Sequence, residues 1–524
     1  MDDTQDNQEF TVEEADTNGT TSAESSQSSA HSDRDDNSQE AQKSKPSLPP
    51  IFQQIRAQLN TLMASQTMTA LSKALTVLHS VFKKRPRFPY LLYIMVMAIV
   101  DSAAVLFIQW GTYTEPTYTA PSTVDETTRL LNSIRGQLTR FVAQMWMEQK
   151  YIWLLNFCVL GMVYLVLIFV LNRFWVATAL FAIITSVFAV ANHIKIQLRN
   201  EPVIPSDLSF ISSGNGGEVA SFIPKDSQAL VNNTITMLVW LTIACLLLQF
   251  IDGRRCVISF HWRHPLRNTK TIIGNCTRIV AVIVSTSLLC SFTLNLNTVG
   301  SWSHNWAQAL GDSPTLWDAA GDASLNGPTI NFLRLANPKT MTKPSDYSQA
   351  TMQEIAQRYN KIAEKTNQSR SNNLTDNTMI MILSESFSDP TRVPGITLSE
   401  DPMPDIRALK NTTTSGLMLS PGYGGGTANI EYQALTGWDL ALFDNSMQVP
   451  YQQLVPHQKV TETFNQLWND RYGASGSIAF HPYYKNMYLR DIDYKKFGFS
   501  HFYTLDSNPP ITHHDGLDNS PYAS

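Results

Sequence analysis

The sequence predicts an all-α domain of five membrane spans followed by an external α/β domain, and three observations predict it. Five apolar runs, near residues 88–109, 151–171, 174–192, 235–251 and 272–294, each come close to the ~20 residues that cross a bilayer core. Basic residues collect in alternate connections between those runs. From Thr378 onward, short apolar stretches alternate with helical ones, the pattern of a layered α/β fold.

The chain has 524 residues and a formal net charge of -5. That length suggests more than one domain, and the small negative charge argues against a nucleic-acid partner. Residues 1–50 are rich in Ser, Gln, Asn and Asp and nearly free of large apolar side chains. Such a stretch cannot bury enough surface to offset its ordering entropy, so it is expected to be a disordered cytoplasmic tail. It has no basic start and no apolar core, so it is not a signal peptide. Residues 51–87 form a juxtamembrane segment. Ile51, Ile55, Leu59 and Leu62, then Leu71, Leu75, Leu78 and Phe82, recur at helical spacing just before Lys83-Lys84-Arg85. This reads either as a helix packed on protein or as one lying on the membrane surface.

The membrane domain is assigned to residues 88–295. Trp110, Trp153, Trp175 and Trp240 lie near span ends, as an aromatic belt would have them. Lys83, Lys84, Arg85 and Arg87 precede the first span, Arg173 separates the second and third, and Arg254, Arg255, Arg263, Arg267 and Lys270 fill the fourth connection. The positive-inside rule makes that side cytoplasmic. An odd number of spans then puts everything after residue 295 outside. A charge within a span is expensive, so Asp101 should face the bundle or a wet cavity, while Arg278 should snorkel to the interface. The five cysteines all fall in spans or the cytoplasmic loop, leaving the external part without disulfides or Cys/His zinc spacing.

Residues 296–370 read as an external connector with a helical patch at 347–363, and residues 371–524 as the α/β domain. There, Thr378–Ser384 is expected to be a buried strand that delivers Glu385 at its C-terminal end. The glycines of Tyr423-Gly-Gly-Gly-Thr427 should lead into a helix with Thr427 at its start, where free backbone N–H groups and the helix dipole favour an anion. A carboxylate and a hydroxyl presented this way suit a metal-activated nucleophile attacking phosphorus or sulfur. Ser477–Phe480 is a second candidate strand, ending at His481. Glu385 and His481 both fall at strand C-termini, where ligand sites of such sheets collect. Taken singly, Glu385 could be an ordinary strand-end carboxylate, Thr427 an N-cap, Glu431 a helix-face residue, and Arg490 a surface partner of Asp491 or Asp493.

The blocks Leu383-Ser-Glu385-Ser-Phe387 and Gly424-Gly-Gly-Thr427-Ala-Asn-Ile-Glu-Tyr432, together with five N-terminal spans, resemble the lipoteichoic acid synthase family. These are membrane phosphoglycerol transferases of the alkaline phosphatase and sulfatase superfamily. The loop from Lys195 to Leu208 is similar to one in related membrane transferases. The resemblance implies Thr427 as nucleophile and metal ligand and Glu385 as metal ligand. It implies a divalent cation, Mn²⁺ first and Mg²⁺ second, as suits oxygen donors. Through the block from Phe480 to Phe499 it implies that His481, Tyr488 and Arg490 bind the headgroup. It implies phosphatidylglycerol as donor, a cell-envelope polymer or glycan as acceptor, and a multi-pass cell-membrane protein with its catalytic domain outside.

Two departures stand out. Tyr483 occupies a position that is often acidic in the family, so substrate preference is expected to differ. The family's metal site also needs an Asp-His pair well downstream of the pocket block, and Ser524 comes first; His513-His514-Asp515 has the wrong order. The expectation is an incomplete sulfatase-like domain, from a copy truncated at its C-terminus. The competing readings are a phosphoethanolamine transferase or sulfatase-like hydrolase of the same superfamily, or a catalytically inactive membrane protein. Sulfatases need a Cys/Ser-x-Pro-x-Arg setting, which is absent around Thr427.

Overall fold

The structure, a computed structural model, describes residues 85–118, 124–209, 223–384, 387–418, 422 and 426–511. The expected tail, the juxtamembrane helix, Glu385 and the His513–Asp515 cluster lie outside them. Five helices have the length and apolar content to cross a membrane. They are α1 (Tyr90–Trp110), α2 (Ile152–Leu171), α3 (Phe174–Arg199), α4 (Gln228–Ile251) and α5 (Thr269–Leu296). Each matches one apolar run of the sequence, and α3 continues seven residues past its expected end at 192 because Asn192–Arg199 keeps helical geometry up to the left-handed Asn200.

Helix α3 is the hub, packing against α1, α2 and α4, while α5 lies against α2. The core joins Val105 and Ile108 of α1, Leu160 and Tyr164 of α2, and Phe174, Trp175 and Phe181 of α3. At the Arg-rich end, the buried Asp252 ties three helices: it accepts hydrogen bonds from Tyr93 of α1 and Trp175 of α3 and from the backbone of Arg254. Asp101 faces the bundle, as expected. It is buried, and a Cβ on Gly161 would come 3.1 Å from its Oδ2. Arg278 donates to the Val170 carbonyl at 2.9 Å with its guanidinium over the Phe260 ring.

At the other end, helices Trp302–Ala309, Ala319–Asn326 and Pro328–Leu335 pack on the span termini. Their centre is the buried Arg334, which grips Asp312 at 2.5 Å and Asp322 at 3.0 Å. Asn326 and Asn331 also donate to the Asp322 oxygens. Gln109 of α1 and Asn156 of α2 donate to the Ser324 and Asn326 carbonyls, locking this layer to the spans.

The α/β part holds α6 (Thr427–Thr436), α7 (Arg490–Lys496) and a parallel pair, β1 (Ile478–Phe480) and β2 (His501–Tyr503). Helix α7 lies in the connection from β1 to β2, the order a βαβ unit requires. The core beneath comprises Ala428, Tyr432, Phe443, Met447, Tyr451, Val455, Ala479, Tyr494 and Phe497. One expectation fails here. Thr378–Ser384 is irregular and exposed, with Ile382 84% accessible, rather than a buried strand. The cause is pairing: β1 and β2 are the described strands, and neither runs beside it. A lone extended segment cannot close its backbone hydrogen bonds.

Candidate functional site

Gly426 lies at φ 81, in the left-handed region that suits glycine, and directly precedes α6. Thr427 is therefore the first helical residue, as the sequence implies, and is half-buried. Glu431 is four residues further on, on the same helix face as Thr427. It is not a solvated helix-face residue. Arg490 donates to both its oxygens, Nε to Oε2 at 2.9 Å and Nη2 to Oε1 at 2.7 Å, and the Tyr494 hydroxyl donates to Oε2 at 3.0 Å. This bidentate pair staples α6 to α7. Arg490 is 1% exposed, so its partner is neither Asp491 nor Asp493 at the surface.

Burial by itself would raise the Glu431 carboxyl; the charge and hydrogen bonds of Arg490, with His481 and Tyr494, outweigh it and hold the group below its usual range. Arg490 gives a further N–H to the Met487 carbonyl at 3.2 Å. A guanidinium has five N–H donors, so one on each Nη has no partner among the described residues. Its carbon sits 5.3 Å from the Tyr488 ring centre and 5.9 Å from that of Tyr451.

His481 follows β1, and its backbone N–H donates to the Tyr503 carbonyl at 2.9 Å. Its ring Nδ1 is buried and has no partner among the described residues. Burial, reinforced by the Arg490 charge, lowers its pKa to about 4. The ring is thus neutral at physiological pH, and can meet a headgroup by hydrogen bonding but not as a cation. Tyr488 and Leu489 both adopt left-handed backbone, at φ 57 and 62. Two adjacent side-chain-bearing residues in that region store strain, a feature that gathers at ligand clamps.

The Tyr488 hydroxyl accepts a hydrogen bond from Arg199 Nη2 at 2.8 Å. Arg199 is the last residue of α3, so the end of a helix long enough to span the membrane meets the Tyr488–Arg490 cluster directly. The loop after it is braced: Lys195 pairs with Asp207 at 2.8 Å, Asp207 accepts from the Ile204 backbone, and Asn192 accepts from that of Val203. Gln452 donates to Ser209 at 2.6 Å, adding a second tie.

The structure thus gathers His481, Tyr488 and Arg490 around Glu431, with Thr427 on the same helix as Glu431. Glu385 lies outside the described residues. Among the described residues no three His, Cys, Asp or Glu side chains come together as a metal-binding group, so a ligand set for a cation is not assembled there. Sequence reasoning missed Glu431, Tyr494 and Tyr451, and it noted Arg199 only as part of a familiar loop. The available signal was the four-residue spacing from Thr427 to Glu431.

A sulfatase family model matches residues 377–517. The chain is 26% identical over 339 residues to a putative cyclic β-1,2-glucan modification protein of Rhizobium meliloti (strain 1021), a match covering 64% of this chain and 47% of that protein. Among solved structures, the Streptococcus pyogenes phosphoglycerol transferase GacH in complex with sn-glycerol-1-phosphate is 41% identical, covering 34% of this chain and 46% of that one, at a TM-score of 0.32. The chain therefore spans about half the length of these relatives.

Proposed function

From the premise that this chain is a lipoteichoic acid synthase-like protein with a sulfatase-family region, an enzyme of the transferase or hydrolase type, we propose that it moves glycerophosphate from phosphatidylglycerol to a hydroxyl of a cell-envelope polymer or glycan. The Rhizobium relative, a putative cyclic β-1,2-glucan modification protein, favours a glycan acceptor. The α/β part would lie outside the membrane, on the side opposite the Arg-rich connections.

In this reading Thr427 Oγ attacks the phosphodiester. An Oγ–P bond forms, the bond from phosphorus to the diacylglycerol oxygen breaks, and the threonine proton ends on diacylglycerol. An acceptor hydroxyl then attacks the same phosphorus, and Thr427 recovers a proton as the Oγ–P bond breaks. The start of α6 turns backbone dipoles toward the transferring group. Arg490 offers the headgroup its two unused N–H donors, while Glu431 fixes the guanidinium plane. Tyr488 and the neutral His481 bind by hydrogen bonds.

Superfamily members use metal ions, and a divalent cation, Mn²⁺ or Mg²⁺, would neutralise phosphate charge when bound by Glu385 and Thr427. Among the described residues no such set is assembled.

The observation that best supports this reading is the contact of Arg199 with Tyr488, which joins the end of a span to the cluster built around Arg490. A donor anchored in the bilayer needs its acceptor site there. The test is diacylglycerol release by the protein reconstituted in vesicles of phosphatidylglycerol or of phosphatidylethanolamine. Release from phosphatidylglycerol that disappears in Thr427→Ala is expected. Equal release by Thr427→Ala removes Thr427 as nucleophile, and release from phosphatidylethanolamine alone replaces the donor.

A further inference from the structure

We propose that the connection between α4 and α5 carries a separate binding site for the phosphate of an anionic phospholipid, on the membrane face opposite the candidate active site. A cavity of about 450 Å³ is lined by Ser259, His261, Arg263, Arg267, Lys270 and Thr271. Between Asp252 and Asp312 the chain contains no acidic residue, and Asp252 itself is fully buried. Arg263, Arg267 and Lys270 form no ion pair among the described residues. Their charge therefore has no counter-ion among the described residues there.

The connection is built rather than loose. Asn172, in the turn between α2 and α3, exchanges hydrogen bonds with Ile258 through both ends of its side chain. Asn275 of α5 accepts from the His261 backbone and donates to the His261 and Pro265 carbonyls. A Cβ on Gly274 would come 2.5 Å from the Ser259 hydroxyl, so helix and loop touch closely. Asn268 caps the first turn of α5. The backbone that carries the cations is thus held in place, and the cations meet no acidic partner among the described residues.

Two features favour a lipid phosphate over free phosphate. Trp262 and Leu266 are 81% and 77% exposed, and each immediately precedes a cavity arginine. An apolar anchor beside a cation, twice in succession, suits a headgroup at the boundary between acyl chains and water. The same end of the bundle also carries the backbone link from Gly253 to Pro86, beside Arg85 and Arg87, so the site sits where a basic collar meets the bilayer.

The test uses the full chain and vesicles of phosphatidylcholine doped with phosphatidic acid, a lipid without the glycerol headgroup of the proposed donor. Binding is read by the electron-spin-resonance signal of spin-labelled phosphatidic acid. The triple variant Arg263→Ala, Arg267→Ala, Lys270→Ala should weaken selectivity for phosphatidic acid over phosphatidylcholine by on the order of 100-fold. Arg263→Ala should lower it more than Arg255→Ala, a neighbouring exposed arginine that does not line the cavity. Equal losses from those two single variants would replace a site by a diffuse field, and an unchanged triple variant would remove the site. Full competition by millimolar inorganic phosphate would make it a free-phosphate site and overturn the lipid assignment. None of these residues is in the candidate active site, so diacylglycerol release can fail or persist independently.

Discussion

Two stretches of the sulfatase-family region, residues 378–418 and 427–511, differ in what holds them. In the second, Ala428, Tyr451 and Phe497 are fully buried, and α6, α7 and β1 enclose one core. In the first, Ile380, Ile382, Leu417 and Met418 are largely exposed although Met379–Leu383 is an unbroken apolar run. The difference is one of hydrogen-bond closure. A helix such as α6 satisfies its own backbone, so an apolar face is enough to dock it. An extended segment closes its polar groups only on a neighbour, and its side chains are buried only once that neighbour exists.

The largest expected effect sharpens this contrast from the packed side. Glu431→Ala leaves the Arg490 guanidinium buried without its carboxylate, and breaking a buried pair costs about 3–5 kcal/mol. Thermal unfolding of the detergent-solubilised protein measures it. The double variant Glu431→Met, Arg490→Met should recover much of the loss, since no orphan charge remains. A loss below ~1 kcal/mol in Glu431→Ala would mean that water reaches the pair.

That pair also marks the limit of sequence reading. The five spans were legible because run length alone separates a bilayer-crossing helix from other helices. The start of α6 at Thr427 was legible because glycine followed by a helical pattern is a local signal. Glu431 and Arg490 are 59 residues apart, and Arg199 and Tyr488 are 289 apart. No periodicity reports such partnerships, because tertiary packing sets them. The Thr378–Ser384 run failed for the reverse reason: its composition is strand-like, but a strand is a property of two segments.

A second, intermediate prediction concerns pH. Asp493 is fully buried, its carboxylate oxygens have no partner among the described residues, and burial raises its pKa to about 9 from an ordinary 3.8. Between those values the folded chain holds a proton that the unfolded chain has lost, so stability falls as pH rises toward 9. His481 acts in the opposite sense. Its folded pKa of about 4 lies below the ordinary 6.5, so the unfolded chain binds the extra proton and stability falls as pH drops from 6.5 toward 4. Melting temperature should therefore fall as pH rises from about 6.5 to 9, while between about 4 and 6.5 the two contributions oppose each other and largely cancel. Asp493→Asn should flatten the alkaline limb and uncover the acid decline below pH 6.5 that His481 sets; an unchanged alkaline limb would mean that Asp493 is ionised in the folded protein.

The smallest expected effect tests the exposed side of the comparison. Ile382→Ser removes a side chain that already faces water, and surface substitutions of that kind change stability by no more than about 0.5 kcal/mol. Glu431→Ala and Ile382→Ser, compared in one preparation, should thus differ several-fold in cost. If Ile382→Ser instead costs on the order of the 2–5 kcal/mol of a core truncation, the segment is buried in solution. Thr378–Ser384 would then be a strand paired with a segment outside the described residues, and the contrast between the two stretches would reduce to one between strands whose neighbours are described and strands whose neighbours are not.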